Sequence, residues 1–462
     1  MSDKTFDIAI LGGGPGGYTA AIRAAQLGFS VGLIEKRFMG GTCTNIGCIP
    51  TKALIHCAGL YEDAKGGKTF GVTASDVKFD WDKIQKYKER CVIKLRKGVE
   101  GLMAKNKIEV IQGHGRLAGA DAIDVDGTRI SAGHIILAMG SRARSLPSLP
   151  IDGDHLITSD HALSLSEVPK RLLVVGAGAI GCELAYVMAA LGSEVVIVEF
   201  LDHALPMEDQ DISVEYEQAL KRNKVKLYTR SSVERVEKKA DHVISWVKPR
   251  DGGDEFPIEA DKVLVSVGRG AAIDDCGLES AGIPVERGFI KADPMLRTGV
   301  GNVRAIGDAI GGLMLAHKAS AEGILAVEDI AGRHRAPLVY DNIPRATYSR
   351  PEVASVGLNE SEARRRHGDA VRTSRYPFAG VGKAVVIGES AGFAKLVAAP
   401  DGKLIGAHII GPHATDLIAT ASTAIGAGLT GEQFAHIVQA HPTLSEVWLE
   451  AAHGLMDGPM NY

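Results

Sequence analysis

A strand-glycine-helix unit occurs twice in this chain, and the repeat leaves few folds open to it. In the first copy an apolar segment at residues 6–11 runs into GGGPGG at 12–17, a helical pattern follows, and a second apolar segment ends in Glu35. In the second copy an apolar segment at 171–175 runs into GAGAIG at 176–181, and the next strand pattern ends in Glu199. In both copies the acid lies 23 residues after the first glycine. One G-x-G-x-x-G pattern is weak evidence, but two with matching context and spacing predict two dinucleotide-binding βαβ units.

The glycines and acids of these units predict how each dinucleotide is held. Glycines let the backbone approach a pyrophosphate at the helix N-terminus, and the acid accepts a hydrogen bond from a ribose 2′-hydroxyl. The predicted binding residues are Gly12, Gly14, Gly17 and Glu35 in the first unit, and Gly176, Gly178, Gly181 and Glu199 in the second. Because the segment FLDH after Glu199 has no arginine for a 2′-phosphate, we predict NAD rather than NADP at the second site.

Two cysteines, Cys43 and Cys48, lie just after the first unit within GGTCTNIGCIPTK at residues 40–52. A disulfide closing so short a loop would stabilise the fold by only on the order of 2 kcal/mol, which is little for a chain of 462 residues. Paired zinc ligands are usually two to four residues apart and need a second pair, which is not found nearby. We therefore predict a redox-active pair, with two small buried core residues as the alternative.

The residues after the second cysteine predict a helix that begins there. Pro50 suits the first turn of a helix, and the following residues are helix formers. Cys48 would then lie at a helix N-terminus, where the dipole stabilises a thiolate, and Lys52 would project from the same face. Two dinucleotide sites in one chain imply electron transfer between the dinucleotides, so we predict FAD at the first site, next to the thiols, and NAD at the second.

Two further positions carry side chains suited to the same chemistry. His441 and Glu446 lie in HPTLSE at residues 441–446, where the carboxylate could orient the imidazole as a general base for a thiol. The alternative is that His441 only packs, while Glu446 only completes a capping box as the third residue of a helix capped by Thr443. Asp308 follows a short strand pattern and is predicted to approach polar ligand atoms, with a solvated loop carboxylate as the alternative.

Composition excludes several classes of function. The formal net charge is only −4 and no lysine or arginine run occurs, which argues against nucleic acid as a partner. No apolar run long enough to cross a membrane and no secretory leader is found, so we expect a cytoplasmic protein without membrane attachment. Six scattered cysteines fit a reducing compartment, and no metal site is predicted.

The predicted fold class is α/β, with two Rossmann-like dinucleotide-binding domains and a C-terminal α+β dimerisation domain. The predicted domains are 1–145 for FAD, 146–270 for NAD, 271–340 as a central domain completing the FAD site, and 341–462 as the interface domain.

With these residues in view, the chain resembles the dihydrolipoamide dehydrogenases, within the FAD-dependent pyridine nucleotide-disulfide oxidoreductases of class I. The resemblance covers essentially the full length and is carried by residues 40–52, 176–183, 267–269, 305–308, 314–319 and 441–446. It implies FAD-dependent oxidation of protein-bound dihydrolipoamide with reduction of NAD to NADH. It also implies a homodimer in which His441 and Glu446 of one subunit serve the thiols of the other. The implied partner is a lipoylated protein of a 2-oxoacid dehydrogenase or glycine cleavage complex, and we expect it to be a separate chain.

The same resemblance implies further site residues. Lys52 and Glu183 would pair near the flavin, and Asp308 and Ala316 would line it. The remaining implied contacts are Thr42 and Gly115 with FAD, and Ile180, Val233 and Gly268 with NAD.

The sequence also departs from this family in two places. Met139 stands where threonine usually precedes Gly140, and Gly270-Ala271-Ala272-Ile273 replaces a polar pair after Arg269. Glutathione-type reductases, which have basic residues after the second acid, and mercuric reductases, which end in a cysteine pair, fit less well. Soluble transhydrogenases, which usually lack the complete thiol pair, also fit less well. A flavoprotein sensor that does not turn over remains an alternative that the His-Glu pair disfavours.

Overall fold

The computed structural model describes residues 4–461. Its strands are, in chain order, β1 (Lys4–Leu11), β2 (Val31–Glu35), β3 (Glu109–Gln112), β4 (Gly115–Leu117), β5 (Ala122–Val125), β6 (Thr128–Leu137), β7 (Ser141–Ala143), β8 (Leu156–Ile157), β9 (Arg171–Val175), β10 (Glu194–Val198), β11 (Lys226–Tyr228), β12 (Ser231–Lys238), β13 (Val243–Pro249), β14 (Phe256–Ala260), β15 (Lys262–Val265), β16 (Arg269–Ala271), β17 (Val285–Glu286), β18 (Phe289–Ile290), β19 (Val303–Ala305), β20 (Arg345–Thr347), β21 (Glu352–Gly357), β22 (Arg372–Pro377), β23 (Phe393–Ala398) and β24 (Leu404–Gly411).

The α-helices are α1 (Pro15–Gln26), α2 (Gly41–Ile46), α3 (Cys48–Gly66), α4 (Trp81–Lys105), α5 (Ser159–Ala162), α6 (Ala179–Ala190), α7 (Gln210–Arg222), α8 (Ala316–Ile330), α9 (Glu360–His367), α10 (Gly382–Val386), α11 (Ala414–Gly426), α12 (Gly431–Ala435) and α13 (Glu446–His453). Short 3-10 helices occur at Gly67–Phe70, Gly307–Ile310, Tyr340–Asn342 and Phe378–Gly380.

The chain forms two compact units. One contains the N-terminal segment up to Leu54 together with Asp82–Arg144 and Gly268–Leu338, and the other contains Ile55–Trp81, Ser145–Val267 and the segment from Val339 onward. The four domains expected from the sequence divide the chain more finely than these units, and their boundaries stay a prediction.

The first unit is built on a mostly parallel sheet that contains the first glycine unit. Strands β3, β2, β1 and β6 lie side by side in parallel, and β19 pairs in parallel with the C-terminal part of β6. Strands β5 and β4 continue the sheet in antiparallel from the N-terminal part of β6. Helices α1 and α8 pack closely on one face, where a Cβ added to Gly323 would lie 2.6 Å from the carbonyl oxygen of Gly16.

The second unit contains the other glycine unit and the C-terminal module. Strands β11, β10, β9, β15 and β8 form a parallel sheet, next to an antiparallel sheet of β12, β13 and β14. The C-terminal module is an antiparallel sheet in the order β20-β21-β24-β23-β22. Helices α11 and α13 pack on this sheet around the buried Trp448, whose indole N–H donates to Leu417 O at 3.0 Å. These elements confirm the predicted α/β class with a C-terminal α+β module.

A buried lysine joins the two parts of the second unit. Lys395, on β23, has a side chain only 4% exposed, and its ammonium lies 2.9 Å from Asp209, 2.7 Å from Asp211 and 2.8 Å from Glu360. Asp209 is the N-cap of α7, so the lysine fixes the start of that helix against the C-terminal sheet. Within residues 4–461 no helix is long and apolar enough to cross a membrane.

Candidate active site

In the first glycine loop, two glycines lie where a Cβ would clash with the backbone, and a third has free space at its Cβ position. Gly12 has φ +114, and a Cβ there would lie 2.3 Å from Ala138 O. A Cβ on Gly17 would lie 1.8 Å from the carbonyl oxygen of Gly12. Gly14, the N-cap of α1, has no atom closer than 3.9 Å to its Cβ position. The helix N-terminus is therefore accessible to a ligand at Gly14.

The second glycine loop repeats this arrangement. Gly176 has φ +101 and a Cβ there would lie 2.6 Å from Ser266 O, while a Cβ on Gly181 would lie 2.1 Å from Gly176 O. Gly178, the N-cap of α6, has no atom within 4 Å of its Cβ position. Ile180, in the first turn of α6, is half-buried.

The two acids make the same pair of contacts in the two units. Glu35 accepts hydrogen bonds from Gly13 N and Arg37 N, both at 2.7 Å. Glu199 accepts them from Ala177 N at 2.6 Å and Leu201 N at 2.7 Å. Both side chains are buried, so each carboxylate is held rigidly beside its glycine loop with lone pairs remaining for a ribose hydroxyl.

Of two residues expected to contact NAD, Gly268 has free space beside it and Val233 has a buried side chain. Gly268 has φ +105 and no atom within 4 Å of its Cβ position. Val233, by contrast, is buried in β12, where its side chain packs in the core.

The thiol loop, residues 40–48, starts against the first glycine loop. Gly40 N donates to Gly13 O at 2.9 Å, and a Cβ on Gly41 would lie 2.7 Å from the Cα of Gly14. Cys43 and the predicted FAD ligand Thr42 lie on α2, whereas α3 begins at Cys48. The predicted position of Cys48 at a helix N-terminus is confirmed.

The side chains of Cys43 and Cys48 are within hydrogen-bonding distance of each other. The hydrogen bond that Cys43 donates to Cys48, together with burial and negative charge on Cys48, raises the pKa of the Cys43 thiol far above its usual value, against the opposing charge of Lys52. Cys48, the first residue of α3, lies at the positive end of that helix, where the dipole stabilises a thiolate.

Lys52 and Glu183 lie in different compact units. Lys52 is on α3, and Glu183 is buried on α6, where it accepts a hydrogen bond from Tyr348 N at 3.0 Å. Their pairing stays a prediction.

Asp308 belongs to a hydrogen-bonded turn and is not a solvated loop carboxylate. It is half-buried in the 3-10 helix Gly307–Ile310 and accepts a hydrogen bond from Ser141 Oγ, which in turn accepts one from Arg269 Nε at 2.7 Å. Ala316 is the first residue of α8. Gly115 lies against apolar side chains, and a Cβ there would lie 2.5 Å from Leu11 Cδ1.

A buried ion pair that sequence reasoning missed holds this turn. Lys318 and Glu322, on α8, are 1% and 0% exposed and lie 3.1 Å apart. Lys318 donates to Gly307 O at 3.0 Å and Gly311 O at 2.9 Å, and Glu322 accepts from Gly307 N at 2.7 Å. The sequence shows a lysine and a glutamate four residues apart, but residues at this spacing usually form an ion pair on the solvent-exposed face of a helix. The spacing alone therefore did not indicate that this pair is buried.

The predicted contact between His441 and Glu446 is present. His441 Nδ1 lies 2.8 Å from Glu446 Oε1, and the imidazole side chain is 76% exposed. Partial burial raises the pKa of Glu446, but the hydrogen bond from Thr443 N and the neighbouring His441 outweigh it and hold this pKa below its usual value. Glu446 therefore presents a carboxylate to Nδ1 of an exposed imidazole.

The predicted helix cap at Thr443 is wrong. Helix α13 begins at Glu446 with Ser445 as its N-cap, so Glu446 is the first helical residue and not the third. The hydroxyl of Thr443 donates to Ala440 O at 2.7 Å instead. The peptide bond between His441 and Pro442 is cis.

The two departures from the family pattern are accommodated by packing. Met139 and Ile273 pack against one core cluster of the first unit. Residues Arg269–Ala271 form β16, which pairs with β7. Among the described residues, no group of three or more His, Cys, Asp and Glu side chains could hold a metal ion.

Comparison with known proteins identifies the relatives of this chain. The family model for pyridine nucleotide-disulphide oxidoreductases matches residues 6–323, and that for their dimerisation domain matches residues 343–452. The chain is 42% identical to the dihydrolipoyl dehydrogenase of Bacillus subtilis over 97% of both chains. It is 44% identical to that of Chlorobaculum parvum over 98% of this chain and 97% of the relative. The crystal structure of LpdA from Mycobacterium tuberculosis is similar, with a TM-score of 0.90 and 27% identity over 99% of this chain and 100% of that chain.

Proposed function

The chain belongs to the pyridine nucleotide-disulphide oxidoreductases, and we propose that it oxidises a protein-bound dihydrolipoyl group to its disulfide while reducing NAD to NADH. One observation carries this proposal: the thiol loop starts on the first glycine loop, through the hydrogen bond from Gly40 N to Gly13 O. A sulfur pair is thereby attached to a dinucleotide site, as electron exchange between the two requires. The similarity to dihydrolipoyl dehydrogenases supports a dithiol as the substrate.

The residues around the first glycine loop fit FAD. The open space at Gly14 gives a pyrophosphate access to the N-terminus of α1, and Glu35 would hold the adenosine ribose. Thr42 on the thiol loop, Gly115 on β4 and Ala316 at the start of α8 would complete the site, with Asp308 beside the flavin. FAD held by these residues would supply two-electron transfer chemistry between the protein thiols and a nicotinamide.

The second glycine loop fits NAD. Gly178 is open at the N-terminus of α6, and the rigid carboxylate of Glu199 would accept hydrogen bonds from an unphosphorylated ribose and repel a 2′-phosphate. Ile180 and Gly268 would contact the coenzyme, and Val233 would contribute through its backbone because its side chain is buried.

The substrate chemistry would be thiol-disulfide exchange. His441 takes a proton from one substrate thiol, and the resulting thiolate attacks Cys43 of the Cys43–Cys48 disulfide. The sulfur-sulfur bond breaks, and Cys48 leaves as a thiolate. The second substrate thiol then loses its proton and displaces Cys43 from the mixed disulfide. The substrate loses two electrons and two protons: the electrons reduce the protein disulfide, one proton passes to the displaced Cys43, and the other stays on His441 while Cys48 remains a thiolate.

A homodimer would complete each site. The imidazole of His441 is exposed in the single chain and lies within the part that matches a dimerisation domain. In the proposed dimer it would reach the thiols of the partner subunit, with Glu446 orienting it. Lys52 and Glu183 would pair near the flavin. The lipoylated partner would belong to a 2-oxoacid dehydrogenase or glycine cleavage complex, and the six scattered cysteines support a cytoplasmic location.

An anaerobic titration tests this function. Adding dihydrolipoamide to the FAD-loaded protein should produce the long-wavelength absorption band of a thiolate beside flavin, and later addition of NAD should produce NADH at once. NADPH, glutathione disulfide and mercuric ion serve as competing substrates in steady-state assays. Faster turnover with glutathione disulfide or mercuric ion than with lipoamide would refute the proposal. Reduction without turnover would instead identify a redox sensor.

A further inference from the structure

Helix α2 is held by a brace of three side chains, Phe38, Asn45 and Arg96, which all lie in the first compact unit. The amide nitrogen of Asn45 donates to Met39 O at 3.0 Å and to Gly41 O at 2.8 Å. Its amide oxygen accepts a hydrogen bond from Arg96 Nε at 2.7 Å. These three bonds use both ends of the amide, so only one orientation of Asn45 satisfies them.

Arg96 is itself fixed from a second side. It lies half-buried on α4, and its guanidinium carbon is 4.1 Å from the centre of the Phe38 ring, within the range of a cation-π contact. A lysine could keep the charge here but could not reproduce both the planar stacking and the side-on hydrogen bond. The arginine therefore links α4 to the segment that precedes the thiol loop.

The brace acts on the part of the chain that positions Cys43. Asn45 lies between the two cysteines in the sequence. Its amide nitrogen donates to the carbonyl oxygens of Met39 and Gly41, the residues before and after Gly40. Gly40 and Gly41 have φ +91 and +56, and α2 has only six residues, too few to be stable without outside contacts. The orientation of α2, and with it the Cys43 sulfur, therefore depends on Asn45.

We propose that Arg96 is a positioning residue for the thiol pair. Acting through Asn45, it keeps the sulfur of Cys43 in line for attack by the substrate thiolate and for closure of the disulfide with Cys48. This inference rests on the proposed function, because it assigns Cys43 as the sulfur that is attacked. A displacement of a reacting atom by about 1 Å can cost on the order of a hundredfold in rate.

The test uses the full-length FAD-loaded protein with Arg96→Met and Arg96→Lys. The matched control is Arg90→Met, since Arg90 lies on the same helix with its guanidinium 5.9 Å from the Tyr87 ring. The first measurement is the ratio of iodoacetamide alkylation at Cys43 and Cys48 in the reduced protein, which needs no turnover. The others are kcat for dihydrolipoamide oxidation, FAD content, and NADH-dependent reduction of ferricyanide, which bypasses the thiols.

Both Arg96 variants should change the alkylation ratio and lower kcat for the dithiol by about tenfold to a hundredfold. Their FAD content and ferricyanide reduction should match the wild type. In an Asn45→Ala background, Arg96→Met should cause no further loss, because the arginine acts through that amide.

Three results would overturn the proposal. In the first, Arg96→Met and Arg96→Lys both keep the wild-type alkylation ratio and dithiol kcat. In the second, both variants lose FAD and ferricyanide reduction along with dithiol oxidation, which would give Arg96 a general structural role. In the third, the effects of the two substitutions in the double variant are additive. If the wild type and Arg90→Met do not oxidise the dithiol, the proposed function fails, and the alkylation ratios still decide the role of Arg96.

Discussion

Replacing Gly178 with alanine should separate coenzyme reduction from the thiol chemistry. Gly178 is the N-cap of α6 with φ −74 and ψ 178, angles that alanine adopts without strain. No atom lies within 4 Å of its Cβ position. The folded state should therefore accept the methyl group, at a cost of about 1 kcal/mol or less for the poorer N-cap.

The methyl group would fill the space through which a pyrophosphate reaches the first turn of α6. A hydrogen bond between a backbone N–H and a charged group contributes about 1.5–3 kcal/mol. Losing one such bond weakens binding roughly tenfold to 150-fold. We expect the Kd for NAD to rise by this factor in Gly178→Ala, with KM rising in parallel.

The assay measures each half of the reaction. NAD affinity comes from titration and steady-state kinetics, and anaerobic reduction by dihydrolipoamide reports on the thiols without coenzyme. The thiol half should be unchanged in Gly178→Ala. The contrasting variant is Gly176→Ala, where φ is +101 and the Cβ would lie 2.6 Å from Ser266 O, so that protein should be unstable. Wild-type NAD affinity in Gly178→Ala would refute the assignment of this loop to the coenzyme.

Three further outcomes are expected. His441→Gln should nearly abolish dithiol oxidation while FAD content stays normal, and full activity would refute its role as base. Glu199→Gln should raise the kcat/KM for NADPH relative to NADH, measured in parallel assays, because it removes a negative charge beside the predicted ribose site. Lys395→Met should lower the free energy of unfolding in urea by about 3–5 kcal/mol at pH 7, since it leaves the buried carboxylate of Asp209 without its ammonium partner. Lys403→Met, at an exposed lysine, is the control. Burial raises the pKa of Asp209, but neighbouring positive charges and a backbone hydrogen bond hold it below its usual value. Wild-type stability should therefore fall as the pH falls through this lowered pKa.

The glycine loops could be predicted from sequence because their spacing follows from backbone geometry. Gly12 and Gly176 both adopt positive φ, and both face a carbonyl oxygen that excludes a Cβ. The acids 23 residues later accept two backbone hydrogen bonds each, in matching positions. Local rules of this kind also predicted the helix start at Cys48 and the contact between His441 and Glu446.

The contacts that sequence reasoning missed join residues far apart in the chain. Arg96 lies 51 residues from Asn45, and Lys395 lies 186 residues from Asp209. Nothing local to Arg96 or Lys395 distinguishes them from solvated surface charges, because their burial is decided by tertiary packing. At Thr443 the hydroxyl donates to Ala440 O instead of capping a helix, and α13 begins only at Glu446, after a Ser445 whose side chain makes no capping hydrogen bond.

The position of Cys48 at the start of α3 gives the proposed reaction its direction. A disulfide is most readily attacked at the sulfur whose partner is the better leaving group, and the better leaving group is the sulfur that best holds a negative charge. The neighbouring Cys48 and burial raise the pKa of the Cys43 thiol, whereas Cys48 is the first residue of α3. Attack at Cys43 therefore places the released charge on Cys48, where the helix dipole stabilises it, whereas attack at Cys48 would place it on Cys43. The order in which the two cysteines react therefore depends on the surroundings of each sulfur, because the two side chains are chemically identical.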